Sequence, residues 1–165
     1  MQTTLALGSL TALGEVLARG ELLVATGASD VVVLPTAAAF VGATQAATEL
    51  SEGSEARVEA LMHIDRSSSD ESYFAKRVRE AHVVILSDGS LLHAKSVWHE
   101  TPIGDAIRDA EFVVAVGSVV SVLLGTMIDP RGGAPTTGLG HREGICYHVK
   151  GKRRVPISYA NSARR

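Results

Sequence analysis

The chain has 165 residues, enough for one domain built on a single core. Apolar residues make up 45% and charged residues 21%, which excludes a disordered chain, while aromatics at 4% offer no platform for stacking on nucleic-acid bases. The net charge of -2 excludes a broadly basic nucleic-acid binder, although Lys150, Lys152, Arg153, Arg154, Arg164 and Arg165 form a basic tail with no acid among them. Residues 1–148 are read as one α/β domain and residues 149–165 as a solvated, loosely ordered tail, with nucleic acid not expected as a partner. A lone cysteine, Cys146, permits no internal disulfide and suits a reducing compartment. The opening Met1-Gln-Thr-Thr lacks the basic region of a secretory signal, and no apolar run approaches the about 18 residues of a membrane helix. A cytoplasmic protein without a membrane contact is the expectation.

In chain order, Leu5-Ala-Leu-Gly8 reads as a short strand ending at a glycine. Residues 11–25 carry apolar positions at helical spacing, with a bend near Gly20 and a stop at Gly27. Val31-Val-Val-Leu34 is a second strand, continuous enough in apolar residues to be buried on both faces, and Pro35-Thr36 ends it. Residues 37–50 favour helix through their alanines, residues 57–63 suggest an edge-like strand, and residues 65–71 form the most polar loop. A charged amphipathic helix over residues 72–81 leads to the strand His82-Val-Val-Ile-Leu86 and the turn Ser87-Asp-Gly-Ser90. Residues 91–98 are helical, and Thr101-Pro102 opens another helix with a cap and a first-turn proline. Phe112-Val-Val-Ala-Val116 is a further buried strand; Gly117-Ser118 turns it into an apolar run, residues 119–124, read as a helix.

Strands alternating with helices predict an α/β fold: a mostly parallel sheet of about five strands, joined by right-handed crossovers and covered by helices on both faces. In such sheets the working residues collect beyond the strands' carboxyl ends, here Gly8-Ser9, Pro35-Thr36, residues 87–90 and Gly117-Ser118. Ser118 at a strand-to-helix turn is a candidate nucleophile, and Asp129 and His148 follow it as candidate acid and base. The logic is that a serine hydroxyl attacks only when an imidazole takes its proton, and the imidazole needs a carboxylate to hold its tautomer. The turn around Gly89 either presents backbone N–H groups to an oxyanion or simply needs a glycine for positive φ. Gly138-Leu-Gly-His-Arg-Glu-Gly144 lacks the preceding strand of a dinucleotide fingerprint. The six histidines show no ligand spacing, so they are read as surface or cap residues and neither metal nor cofactor is expected.

Val33-Leu-Pro-Thr-Ala-Ala-Ala-Phe40, the segment from Asp88-Gly-Ser-Leu-Leu-His93 through Thr101-Pro-Ile-Gly-Asp-Ala-Ile107, and Thr126-Met-Ile-Asp-Pro-Arg-Gly-Gly133 with Gly138-Leu-Gly140 stand in a telling order and spacing. Over residues 5–148 they resemble the peptidase E and cyanophycinase family of serine peptidases, whose fold is like the class I glutamine amidotransferase domain, a flavodoxin-like three-layer sandwich. The resemblance implies hydrolysis of peptide or isopeptide bonds at aspartyl residues of a small substrate, by a serine with a histidine base; a homodimer is compatible with it. The family elbow resembles Gly-Thr-Ser-Ala-Gly-Ala. Aligned without gaps, Ala115-Val-Gly-Ser-Val-Val120 puts Gly117 at the nucleophile position, whereas a slip of one residue puts Ser118 there. Val119 and Val120 then stand where the family has small residues, and Ser87-Asp88 where it has paired glycines. His148 is the preferred base with His141 second, and Asp129 the preferred acid with Glu143 the alternative. Two functions follow: an amide hydrolase of this type, catalytically impaired or not, or a non-catalytic remnant or binding module that keeps the fold. Apolar periodicity stops after Gly140, which suggests a truncated or frame-altered carboxyl end.

Overall fold

The runs of Val, Ile and Leu that read as strands buried on both faces do form the centre of a parallel sheet. The computed structural model describes residues 3–8, 30–39, 42–45, 48, 57–67 and 71–145. The expected helix over residues 11–25 and the basic tail lie outside them, as does much of the expected helix over residues 37–50. Five strands, β1 (Thr3–Leu7), β2 (Asp30–Leu34), β3 (Arg57–Ala60), β4 (Val83–Leu86) and β5 (Phe112–Val116), pair in the order β1-β5-β4-β2-β3. Every pairing is parallel, with Leu5 opposite Val114, Val32 opposite Val84 and Ile85 opposite Val114. The weakly alternating β3 is an edge strand, as its sequence suggests.

Successive side chains alternate between the two faces of this sheet. Val32, Leu34, Val84, Leu86, Val113 and Ala115 face one core, while Val31, Val33, Val83, Ile85, Val114 and Val116 face another. Each of these residues is at most 1% exposed, so the sheet is covered on both sides in the manner of a three-layer α/β sandwich. On the first side lie three helices: α1 (Glu71–Glu80), α2 (Leu91–Trp98) and α3 (Pro102–Asp109). Their starts follow the local chemistry of the sequence. Ser90 accepts the His93 N–H, Thr101 accepts the Gly104 N–H, and Pro102 occupies the first turn, where its missing donor costs nothing. Trp98, fully buried, fills the space between α2 and the sheet. Arg77 of α1 ties the edge together by donating to Asp30 of β2 at 2.6 Å and to Glu59 of β3 at 2.7 Å.

The apolar run after β5 departs from the helix expected for residues 119–124. It is a 3-10 segment, Gly117–Leu123, followed at once by β6 (Leu124–Ile128). Apolar periodicity over six residues separates neither 3-10 from α nor helix from strand, and valine has weak helix propensity. With β7 (Pro135–Thr137) antiparallel to it and β8 (Arg142–Ile145) parallel to it, β6 makes a small second sheet. The glycine-rich stretch after β7 belongs to this sheet's packing: a Cβ on Gly138 would lie 2.0 Å from the Leu124 carbonyl oxygen, and the Leu139 N–H donates to Val122 O at 2.8 Å. Among the described residues no helix is long and apolar enough to cross a membrane.

Candidate functional site

Three loops meet beyond the carboxyl ends of β2, β4 and β5. The first, Thr36–Ala38, is a 3-10 turn stopped from continuing β2 by Pro35. The second contains Asp88 and Gly89. Gly89 has φ +149, and a Cβ there would lie 2.1 Å from the Ala37 carbonyl oxygen; the Ser90 N–H donates to that same oxygen at 2.7 Å. The glycine that terminates β4 is thus required by close contact with the loop after β2. The third loop is Gly117-Ser118, where the chain leaves β5 with Gly117 at φ +63. The left-handed residue of this turn is therefore Gly117. Ser118 has ordinary backbone geometry, since Glu100 is the one non-glycine with positive φ among the described residues.

Asp88 links the second and third loops. Its Oδ1 accepts three hydrogen bonds: from the Gly89 N–H at 2.9 Å, from the Ser118 N–H at 3.0 Å and from the Ser118 hydroxyl at 2.8 Å. A Cβ on Gly117 would sit 2.2 Å from both Cγ and Oδ2 of Asp88. The carboxylate therefore occupies the volume into which a side chain at position 117 would project. Val119 and Val120, 0% and 7% exposed, are accommodated because they pack inward beneath α2 and take no part in the left-handed turn.

The other expected site residues fall elsewhere. Asp129 stands in the turn between β6 and β7, where Arg131 binds its carboxylate through the backbone N–H at 2.9 Å, Nε at 3.1 Å and Nη2 at 2.8 Å. These bonds hold the Asp129 carboxyl down at about 2, and none of the hydrogen bonds of Ser118 reaches it. Glu143 lies in β8 of the second sheet. His148 is outside the described residues. His141 precedes Arg142, whose guanidinium donates to Thr4 Oγ1 and to Arg108 O, while Thr4 pairs with Val113 near the start of β5. His141 is thus at the amino edge of the sheet and Ser118 at the carboxyl edge. The structure brings Ser118 and the Gly89 turn together, but through Asp88. In the sequence that aspartate is a turn residue and a departure from paired glycines, with no link to Ser118, from which thirty residues separate it.

The expectation that the histidines are surface or cap residues is overturned at one position. His63 is fully buried beyond the end of β3, its ring edge-on to Phe74 at 5.3 Å and neither ring nitrogen hydrogen-bonded. Burial pushes its pKa down, against an opposing pull from the charges of Glu71 and Asp65. Burial also pushes His141 down to about 4, assisted by the positive charges of Arg108 and Arg142. Both shifts have the same sign for stability. Below pH 6.5 the unfolded chain binds protons that the folded chain refuses, so stability present above 6.5 is lost as the pH falls toward 4. Urea midpoints measured at pH 7 and pH 4.5 should differ less in a His63→Leu/His141→Gln double variant than in the parent; an unchanged difference would refute this assignment. Among the described residues no group of His, Cys, Asp and Glu is placed to hold a metal ion.

Fold and site together define a three-layer α/β protein whose carboxyl edge carries a glycine turn opposite a strand-end turn. The particular likeness is to the crystal structure of a peptidase from an acI-B1 Actinobacterium, with a TM-score of 0.70 and 21% sequence identity over 86% of this chain. At that identity the likeness establishes the fold. This chain spans 65% of the length of that structure. No protein-family model matches the sequence, and no curated protein matches it significantly.

Proposed function

We propose that this chain is a non-hydrolysing protein of the peptidase E and cyanophycinase type, a non-catalytic remnant or binding module that keeps the fold of a serine peptidase without its attack step. One observation carries the reading: the space in front of the left-handed residue after β5 is filled by the Asp88 carboxylate, and residue 117 is a glycine. A nucleophile at such a turn must project a side chain, and the turn here has none. The neighbouring hydroxyl does not replace it. Ser118 Oγ gives its proton to a carboxylate at 2.8 Å, and carboxylates are weaker bases than the imidazole that activates a serine.

The competing reading is an active amide hydrolase in which Ser118 attacks an aspartyl peptide or isopeptide carbonyl, His148 takes the proton, Asp129 orients His148 and Gly89 helps hold the oxyanion. A fluorophosphonate probe separates the two. The folded protein is expected to remain unlabelled. Stoichiometric labelling that disappears in Ser118→Ala would establish the hydrolase instead.

A further inference from the structure

We propose that the Gly89 N–H, the Ser118 N–H and the Ser118 hydroxyl form a carboxylate-binding site that the chain fills with its own Asp88 side chain. The inference rests on the reading of the site as non-hydrolysing and adds what occupies it. Three donors from two separate loops converge on one oxygen, at 2.8 to 3.0 Å, and each is a charge-assisted bond to an anion. Both loops are held independently of Asp88. The Gly89 turn is seated on the Ala37 carbonyl, and the chain on the far side of Ser118 is anchored by the buried Val119 and by Ser121, whose hydroxyl donates to Ser118 O at 2.8 Å. Asp88 is itself half-buried, and its carboxylate lies where Gly117 leaves room for it. With the Asp88 side chain shortened, the donors remain, lose their acceptor and keep a space of carboxylate size in front of them. The donors are only partly buried, so water competes for them, and a small free carboxylate takes the place because three convergent donors favour an anion over water. In the parent protein the same site stays closed to ligands unless they displace Asp88.

The experiment is an acetate titration of Asp88→Ala, at constant ionic strength against chloride, followed by thermal shift and by amide resonances. Saturable stabilisation of Asp88→Ala is expected, with acetate bound at least tenfold more tightly than chloride and shifts centred on the Gly89 and Ser118 amides. The parent and Asp88→Asn, in which the site remains filled, should show neither. Adding Ser118→Ala to Asp88→Ala should weaken acetate binding about fivefold, the share of one hydrogen bond. Should Asp88→Ala fail to fold in chloride, folding restored by acetate supports the proposal. Folded Asp88→Ala that ignores acetate, acetate that fails to restore an unfolded one, or equal acetate binding by the parent overturns it. Fluorophosphonate labelling of the parent at Ser118 would instead sink the non-hydrolysing reading, without touching the acetate result.

Discussion

Gly89→Ala is expected to cost more than about 4 kcal/mol, a large share of the about 5–15 kcal/mol by which such domains are stable. The added methyl would meet a backbone carbonyl at 2.1 Å on a loop that cannot retreat without releasing β2, and φ +149 is strained for any side chain. Gly117→Ala is the instructive comparison. Its methyl would also arrive at 2.2 Å, but from the end of a movable carboxylate, and its φ of +63 is tolerable at a cost of about 1–2 kcal/mol. The expected loss there is about 3 kcal/mol, including the hydrogen bonds that Asp88 gives up. Urea denaturation followed by circular dichroism ranks the pair; Gly117→Ala proving the more damaging would mean that Asp88, not the Ala37 loop, is the rigid partner.

Trp98→Ala should cost about 4 kcal/mol, whereas Trp98→Phe should cost under about 1.5 kcal/mol. Trp98 is the largest fully buried side chain and joins α2 to the sheet core, so truncation leaves a cavity that fixed helices cannot close. Its indole N–H is buried without a hydrogen-bond partner. Phenylalanine removes that unpaired donor along with part of the volume, and the two effects oppose each other. Trp98 is also the chain's single tryptophan, so its emission in the parent should be blue-shifted when folded and should move red in one step with the circular dichroism on unfolding. Equal costs for the two substitutions would contradict this account of the core.

Much of this fold was legible in the sequence for a physical reason: a strand buried on both faces carries no alternation and reads as an unbroken apolar run, as Val31 to Leu34 and Phe112 to Val116 do. The start of α3 was legible because Thr101 and Pro102 act within three residues of their targets. The residues after Gly117 were not, since valines pack equally well in a 3-10 segment, a helix or a strand. The site was half legible. Gly89 and Gly117 stand out as glycines at strand ends, and the ungapped alignment puts Gly117 at the nucleophile position, with Ser118 there after a slip of one residue. What filled that turn was invisible, because the bond between Asp88 and Ser118 depends on β4 and β5 being neighbours in the sheet. The buried His63 was missed for the same reason: its burial comes from Phe74 on a different element.

The strand order has a consequence for how the chain acquires its shape. Among the described residues β1 pairs only with β5, and Thr3 meets Phe112 only after more than a hundred residues have intervened. Closing so long a loop is entropically unfavourable before other contacts reward it. β2, β4 and the helix between them are closer in sequence and can associate first, leaving β1 to dock last onto a preformed edge. On the ribosome, β1 emerges before its partner β5 and must therefore wait for most of this sheet to be synthesised. Late, long-range pairing of this kind makes the chain slower to fold than domains built on local contacts.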